Sequence, residues 1–148
     1  MLSQKAKYAL QAVLILAEAW DNESLQIADI ADRRRLPKRF LEQILLDLKH
    51  NGLVISRRGK NGGYGLIRPP AEITFAQVVR VIDGPIAPLP CLSSIAYQAC
   101  DDCEDEGACA IRRVFARVHA ATLEVLENTS LADALAGSAG VEALERIA

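Results

Sequence analysis

The stretch 27–67 constrains this chain most. It holds two short helical patterns and then a glycine-rich hairpin. Ile27 to about Arg34 reads as the first helix. Pro37 suits the first turn of the second, where its missing N–H costs nothing. That helix runs to about Asn51, and Gly52 is a good left-handed stop. Phe40, Leu41, Ile44, Leu45 and Leu48 recur on one core face, while Lys38, Arg39, Glu42, Gln43 and Lys49 fall on the other side. Residues 53–57 and 64–67 have strand character. Between them Asn61-Gly62 signals a hairpin turn with positive φ at both central positions. Arg57, Arg58 and Lys60 place cations on or beside the tip. Two short helices followed by a basic hairpin form the winged-helix arrangement, in which the second helix enters the DNA major groove. The expected fold is mainly α with a small β-hairpin: a winged helix-turn-helix domain plus a long helix.

The flanks extend this plan. A helix from Ser3 to about Trp20 is apolar nearly all round at 9–17, so it is expected to be buried on most sides. Residues 21–24 make a polar loop. Thr74 and Gln77 match a capping box that opens a helix to about Asp83, stopped by Gly84. Pro85, Pro88 and Pro90 stiffen a connector into a cysteine-rich stretch. A long helix then spans about Ala110 to Asn128, roughly 28 Å. Ile111, Val114, Phe115, Val118, Thr122, Val125 and Leu126 form a stripe on it that can complete the core or pair with a second copy. Thr129 or Ser130 can cap a last short turn at 131–136, and 137–148 reads as a flexible tail. The expected division is 1–84 for the DNA-binding domain with its wing at about 53–67, 85–109 for the cysteine loop, and 110–136 for the dimerisation helix and short final helix.

Composition narrows the function. The net charge of −2 conceals 12 Lys/Arg against 7 Asp/Glu in residues 1–70, and 5 against 12 in residues 71–148. A basic half suggests a polyanionic partner, here double-stranded DNA, and an acidic half does not. No signal peptide is readable, and the longest apolar run, 9–17, is too short to span a bilayer. A cytoplasmic protein without membrane attachment is expected. Neither histidine, His50 or His119, sits in a triad or a metal motif, and no phosphate-binding glycine loop follows a strand. The chain is therefore not expected to be an enzyme.

All four cysteines fall within 19 residues, as Cys91, Cys100, Cys103 and Cys109. Three chemistries fit: thiolate ligation of an iron–sulfur cluster, a tetrahedral four-cysteine zinc site, or a thiol–disulfide switch. Asp101, Asp102, Glu104, Asp105 and Glu106 crowd the thiols. Without metal, those acids should raise the thiol pKa values, which weakens the switch reading. The sequence alone does not separate iron–sulfur from zinc.

Several motifs carry a family resemblance. The opening Leu2, Ser3, Lys5, Tyr8, Ala9, Leu10 is one, and Ile30-Ala31 followed by Phe40-Leu-Glu-Gln43-Ile-Leu is another. The wing, from Gly52 through Gly59, Tyr64 and Leu66 to Pro69, is the most specific. Gly84-Pro85 leading to Cys91, Cys103 and Cys109 resembles a cluster-binding loop, and Leu131-Ala-Asp133 matches the usual ending. Over roughly 1–136 the chain resembles the bacterial family of winged-helix regulators that includes IscR, NsrR, RirA and CymR, the Rrf family. The resemblance implies a homodimeric transcription regulator whose DNA affinity follows an iron–sulfur cluster (2Fe-2S or 4Fe-4S), sensing iron, redox state or nitric oxide. Alternatives are a zinc-binding interaction module, or a regulator that works by thiol oxidation without a cluster. The residues implied for DNA are Arg35, Lys38, Arg39, Glu42 and Gln43 on the recognition helix, and Arg57, Arg58, Gly59 and Lys60 on the wing. The resemblance makes the long helix a dimerisation helix, with the stripe Ile111, Val114, Phe115, Val118, Thr122 and Val125 at the dimer interface. There are departures. Arg112 stands where one family type has a histidine ligand, and Lys7 stands where another has an acidic one. Cys100 is extra, and is either the replacement ligand or a spare.

Overall fold

The computed structural model describes residues 2–21 and 24–137. The loop expected at 21–24 and the tail expected at 137–148 therefore lie largely outside the described residues. Six helices and one hairpin follow in order among those described: α1 (Gln4–Glu18), α2 (Ile27–Arg34), α3 (Lys38–His50), β1 (Val54–Arg57), β2 (Gly63–Leu66), α4 (Phe75–Asp83), α5 (Ala110–Asn128) and α6 (Leu131–Leu135). Short 3₁₀ turns occupy Pro70–Glu72 and Pro90–Leu92.

α1 is the hub. Ser3 caps it by accepting from the Ala6 N–H, and Ala6, Ala9, Leu10, Ala12, Val13, Ile15, Leu16 and Ala17 are buried. Its small residues let α2, α3, α4 and α6 all pack against it. From α3 it receives Leu41, Ile44, Leu45 and Leu48, each with no exposed surface. Phe40 departs from the expected core face, being 52% exposed. Its ring instead lies tilted against Tyr8, with centroids 6.0 Å apart. The reason is angular: Phe40 sits on the edge of the stripe, where a ring can cover α1 from outside without entering the core.

The wing pairs Val54 with Leu66, Ile55 with Gly65, Ser56 with Tyr64 and Arg57 with Gly63. Its turn differs from the expected one. Neither Asn61 nor Gly62 has positive φ; the left-handed residue at the tip is Gly59 (φ 107°). The Gly62 N–H donates to the Gly59 carbonyl at 2.9 Å, which closes a longer loop. Gly62 is required for space: a Cβ there would lie 2.6 Å from the Arg57 carbonyl oxygen. Leu25 adds a further bridge, exchanging hydrogen bonds with Tyr64 at 2.9 and 2.7 Å. The segment entering α2 is thereby tied to the wing.

The far end of the chain returns to the same core. The Phe75 N–H donates to Thr129, and the Leu131 N–H donates to Ile73. Leu131 is fully buried, and Ser130, not Thr129, caps α6 in a capping box with Asp133. The capping box at Thr74 and Gln77 opens α4 as expected, and Gly84 ends it at φ 80°. α5 is thus held just beyond its C-terminal end, and it contains no buried residue.

Candidate nucleic-acid interface and cysteine loop

α2 and α3 meet through a tight turn. Arg35 caps α2 in the left-handed region (φ 53°, ψ 44°), and the Leu36 N–H reaches back to the Ala31 carbonyl at 2.8 Å. Arg35 therefore sits in the turn and not on the recognition helix, which corrects the sequence assignment. Pro37 is likewise the N-cap of α3 and not its first residue. Lys38, Arg39, Glu42 and Gln43 are exposed on α3, on the side opposite its buried residues. Arg57 closes β1, and Arg58, Gly59 and Lys60 form the exposed tip.

Gln43 does not stand free. Its Nε2 donates to Asp47 Oδ1 at 2.7 Å, one helical turn on. Asp47 also accepts from Lys5 Nζ of α1 at 2.8 Å. The Lys5 hydrogen bond is the largest cause holding the Asp47 carboxyl below its usual pKa; partial burial opposes it, and the Gln43 bond and the charges of Lys5 and His50 add to it. This Lys5–Asp47–Gln43 chain was not anticipated from the sequence. The i, i+4 spacing of Gln43 and Asp47 was its readable signal; the contact from Lys5 was not readable.

The cysteine loop starts from the core. Cys91 is buried within the 3₁₀ turn, Cys103 and Cys109 are half-buried, and Cys100 is exposed. All four thiols are free. The Ser93 hydroxyl accepts from the Ala96 N–H at 2.9 Å, and the Cys103 N–H donates to the Cys100 carbonyl at 3.2 Å, so the loop turns twice. Cys109 is the N-cap of α5, and its Sγ accepts from the Arg112 N–H at 3.4 Å. The Arg112 side chain spans the loop: one nitrogen lies 3.5 Å from the Cys91 carbonyl, and Nε is 3.4 Å from Glu106. That Nε is buried without a hydrogen-bonded partner, because the ion pair to Glu106 is not aligned as a hydrogen bond. The Tyr97 hydroxyl donates to Glu106, which keeps the phenol protonated above its usual range.

The Cys100 thiol is raised by desolvation first, then by the Cys91 sulfur beside it and by Asp102. Cys103 is raised by desolvation, then by Cys109 and Glu106. The expected acidic influence is present but ranks below desolvation and the neighbouring sulfurs. Among the sulfurs, Cys91 acts most on Cys100, and Cys109 acts most on Cys103. Among the described residues, no three His, Cys, Asp or Glu side chains converge on a single metal position. The donor set, four free thiols, fits a thiolate-bound metal in kind.

The model of a family described as iron-dependent transcriptional regulators, Rrf2, matches residues 2–137. The chain belongs to the Rrf2 family. It is 52% identical to a Rhodobacter capsulatus protein that carries the name of an rrf2-like HTH-type transcriptional regulator, covering 98% of this chain and 99% of the relative. Among solved structures, CymR of Bacillus subtilis, titled the global cysteine regulator, superposes with a TM-score of 0.75 at 33% identity, covering 90% of this chain and 94% of CymR. The IscR structure from T. potens gives a TM-score of 0.74 at 29% identity, covering 93% and 88%. The mainly helical fold with its winged hairpin is thus that of known Rrf2 regulators, and the family resemblance read from the sequence holds. The chain is a transcriptional regulator of a DNA-binding family and not an enzyme. No described helix is long and apolar enough to cross a membrane.

Proposed function

We propose that this chain is a cytoplasmic, homodimeric regulator whose DNA affinity is set by an iron–sulfur cluster on Cys91, Cys100, Cys103 and Cys109. One observation carries the reading. Every thiol of the chain lies on the segment that runs from the buried Cys91 to the N-cap of α5. When bound, such a cluster supplies a reversible change of charge and of ligand geometry in that segment. Residues 1–84 form the reading unit. Lys38, Arg39, Glu42 and Gln43 face base edges in the major groove, and Arg35, Arg57, Arg58, Gly59 and Lys60 hold phosphates or enter the minor groove. Residues 110–136 supply the dimer element. Ile111, Val114, Phe115, Val118 and Val125 are all exposed, and Thr122 lies between them with its hydroxyl bonded to the Val118 carbonyl. A second copy crossing along that stripe would cover it.

Anaerobic purification tests the metal. A brown protein containing iron and sulfide supports the reading; colourless protein holding only zinc overturns it in favour of a four-cysteine zinc module. Cys100→Ala is expected to alter the cluster spectrum, and an unchanged spectrum would make Cys100 a bystander. Removing the wing charges together (Arg57→Gln, Arg58→Gln, Lys60→Gln) should weaken binding to every DNA sequence. The slope of log affinity against log salt should fall by about one for each phosphate that no longer meets a cation. Normal binding by that variant at moderate salt would refute the docking.

A metal-free thiol switch is the second reading. The neighbouring Cys91 and Cys100 sulfurs favour it, as does the likeness to a regulator titled for cysteine. Iron-free protein whose DNA affinity falls on oxidation and returns on reduction would establish it.

A further inference from the structure

We propose a small-molecule site, separate from the cysteines, between the end of α1 and the wing, which takes a ligand with an apolar body and a single anionic head. A cavity of about 290 Å³ opens there, lined in part by Trp20, Ile55, Arg57, Tyr64, Gly65 and Ile67. That volume lies near the lower end for small-ligand pockets, enough for a ring with a short chain. Three of the chain's exposed large apolar side chains meet at this cavity: Trp20 (37% exposed), Ile55 (38%) and Ile67 (48%). Scattered singly, such residues would need no explanation; gathered around one concavity, they make an apolar wall.

The wall's polar groups select the charge. Among the described residues, no carboxylate lines the cavity. Among the described residues Arg57 is the only charged side chain lining it, and it forms no ion pair with any of them. Trp20 and Tyr64, which also line the cavity, each carry a neutral hydrogen-bond donor. A guanidinium beside two neutral donors, over an apolar floor, is complementary to a carboxylate or sulfonate on an aromatic or aliphatic body. Gly65 keeps the space open. It stands opposite Ile55 in the hairpin, and a Cβ built on it meets nothing within 4 Å. A branched residue there would fill the cavity without colliding with the fold.

Arg57 is also one of the wing cations assigned above to DNA, so ligand and DNA would compete for it. That competition rests on the docking reading. The site itself does not, and is read without DNA present.

Trp20 is the only tryptophan in the chain, so its emission reports on this cavity. The test titrates the full-length protein with 4-phenylbutyrate, 4-phenylbutan-1-ol and 4-phenylbutylammonium. The acid should change Trp20 emission saturably and bind about tenfold more tightly than the alcohol, the ammonium compound weakest of all. Gly65→Val should abolish the saturable change for both acid and alcohol. Arg57→Gln should bring the acid down to the affinity of the alcohol and leave the alcohol unaffected. The absence of saturable change, an equal response in Gly65→Val, or equal affinity for all three probes would overturn the site. Should Gly65→Val fail to fold, the Arg57→Gln comparison decides alone.

Discussion

At the scale of the residue, Asp47 shows how a side chain on α3 is held. It joins Lys5 of α1 to Gln43 of α3, so it fixes both the helix and an amide on the helix's outer face. Its folded pKa lies below the ordinary value of 3.8. Its stabilising effect is therefore complete above that unfolded value and is lost as pH falls through the lower folded one. The pair is partly exposed, with 38% and 27% of the two side chains accessible, so its worth is small, about 0.5 kcal/mol. Asp47→Asn should lower unfolding stability by about that amount at neutral pH, and the deficit should vanish in acid. Urea denaturation at the two pH values checks this; an equal deficit at both would show that the charge is not the cause. The sequence disclosed Gln43 as an exposed polar residue, but not Lys5 as a partner of its anchor. A contact 42 positions away depends on how α1 crosses α3, which periodicity does not specify. Arg35 was misplaced for a related reason. Only the folded turn reveals that an arginine, and not a glycine, takes the left-handed cap.

At the scale of the element, the helices were legible and the turn between the strands was not. Capping residues and apolar stripes act within a few positions, so Ser3, Thr74 and Gly84 mark real ends. The wing's turn is decided by crowding against other backbone, the Arg57 and Gly59 carbonyls at Gly62 and the Leu25 carbonyl at Gly63, which a dipeptide rule cannot foresee. α5 carries the clearest consequence. A helix of 19 residues with none buried owes little to its own chain's core. On the proposed dimer, Val118, 48% exposed in the single chain, lies mid-stripe. Val118→Glu would place a charge in a desolvated seam and should weaken dimerisation by about 2 kcal/mol, roughly 30-fold. Sedimentation equilibrium measures the effect, and unchanged helix content by circular dichroism separates it from unfolding. A variant that dimerises normally would move the interface elsewhere.

At the scale of the whole molecule, the two halves of the chain carry opposite charge. Lys38, Arg39 and Lys49 lie on α3 and Arg57, Arg58 and Lys60 on the wing, whereas the acidic run 101–106 lies on the cysteine loop. The sequence showed the thiols as a cluster, but not what holds the loop to the rest of the molecule. That depends on Arg112, whose position the sequence marked only as a missing ligand. Its guanidinium reaches the Cys91 carbonyl at the start of the loop and Glu106 near its end, and its backbone N–H meets the Cys109 sulfur. One cation thus pins both ends of an acidic segment against the first turn of α5. Without it, five carboxylates would repel one another around the thiols with no positive group spanning the loop. Arg112→Ala should therefore loosen the segment before any change in the core. Limited proteolysis should cut within 92–108 faster than in the wild type, while the unfolding free energy changes by no more than a surface substitution would, about 0.5 kcal/mol. If the proposed cluster is bound, it should also lose its visible absorption to a chelator sooner, because Cys91 and Cys109 would no longer be held close. Equal cleavage and equal chelator rates would show that the loop is fixed by its own turns and that Arg112 only covers it.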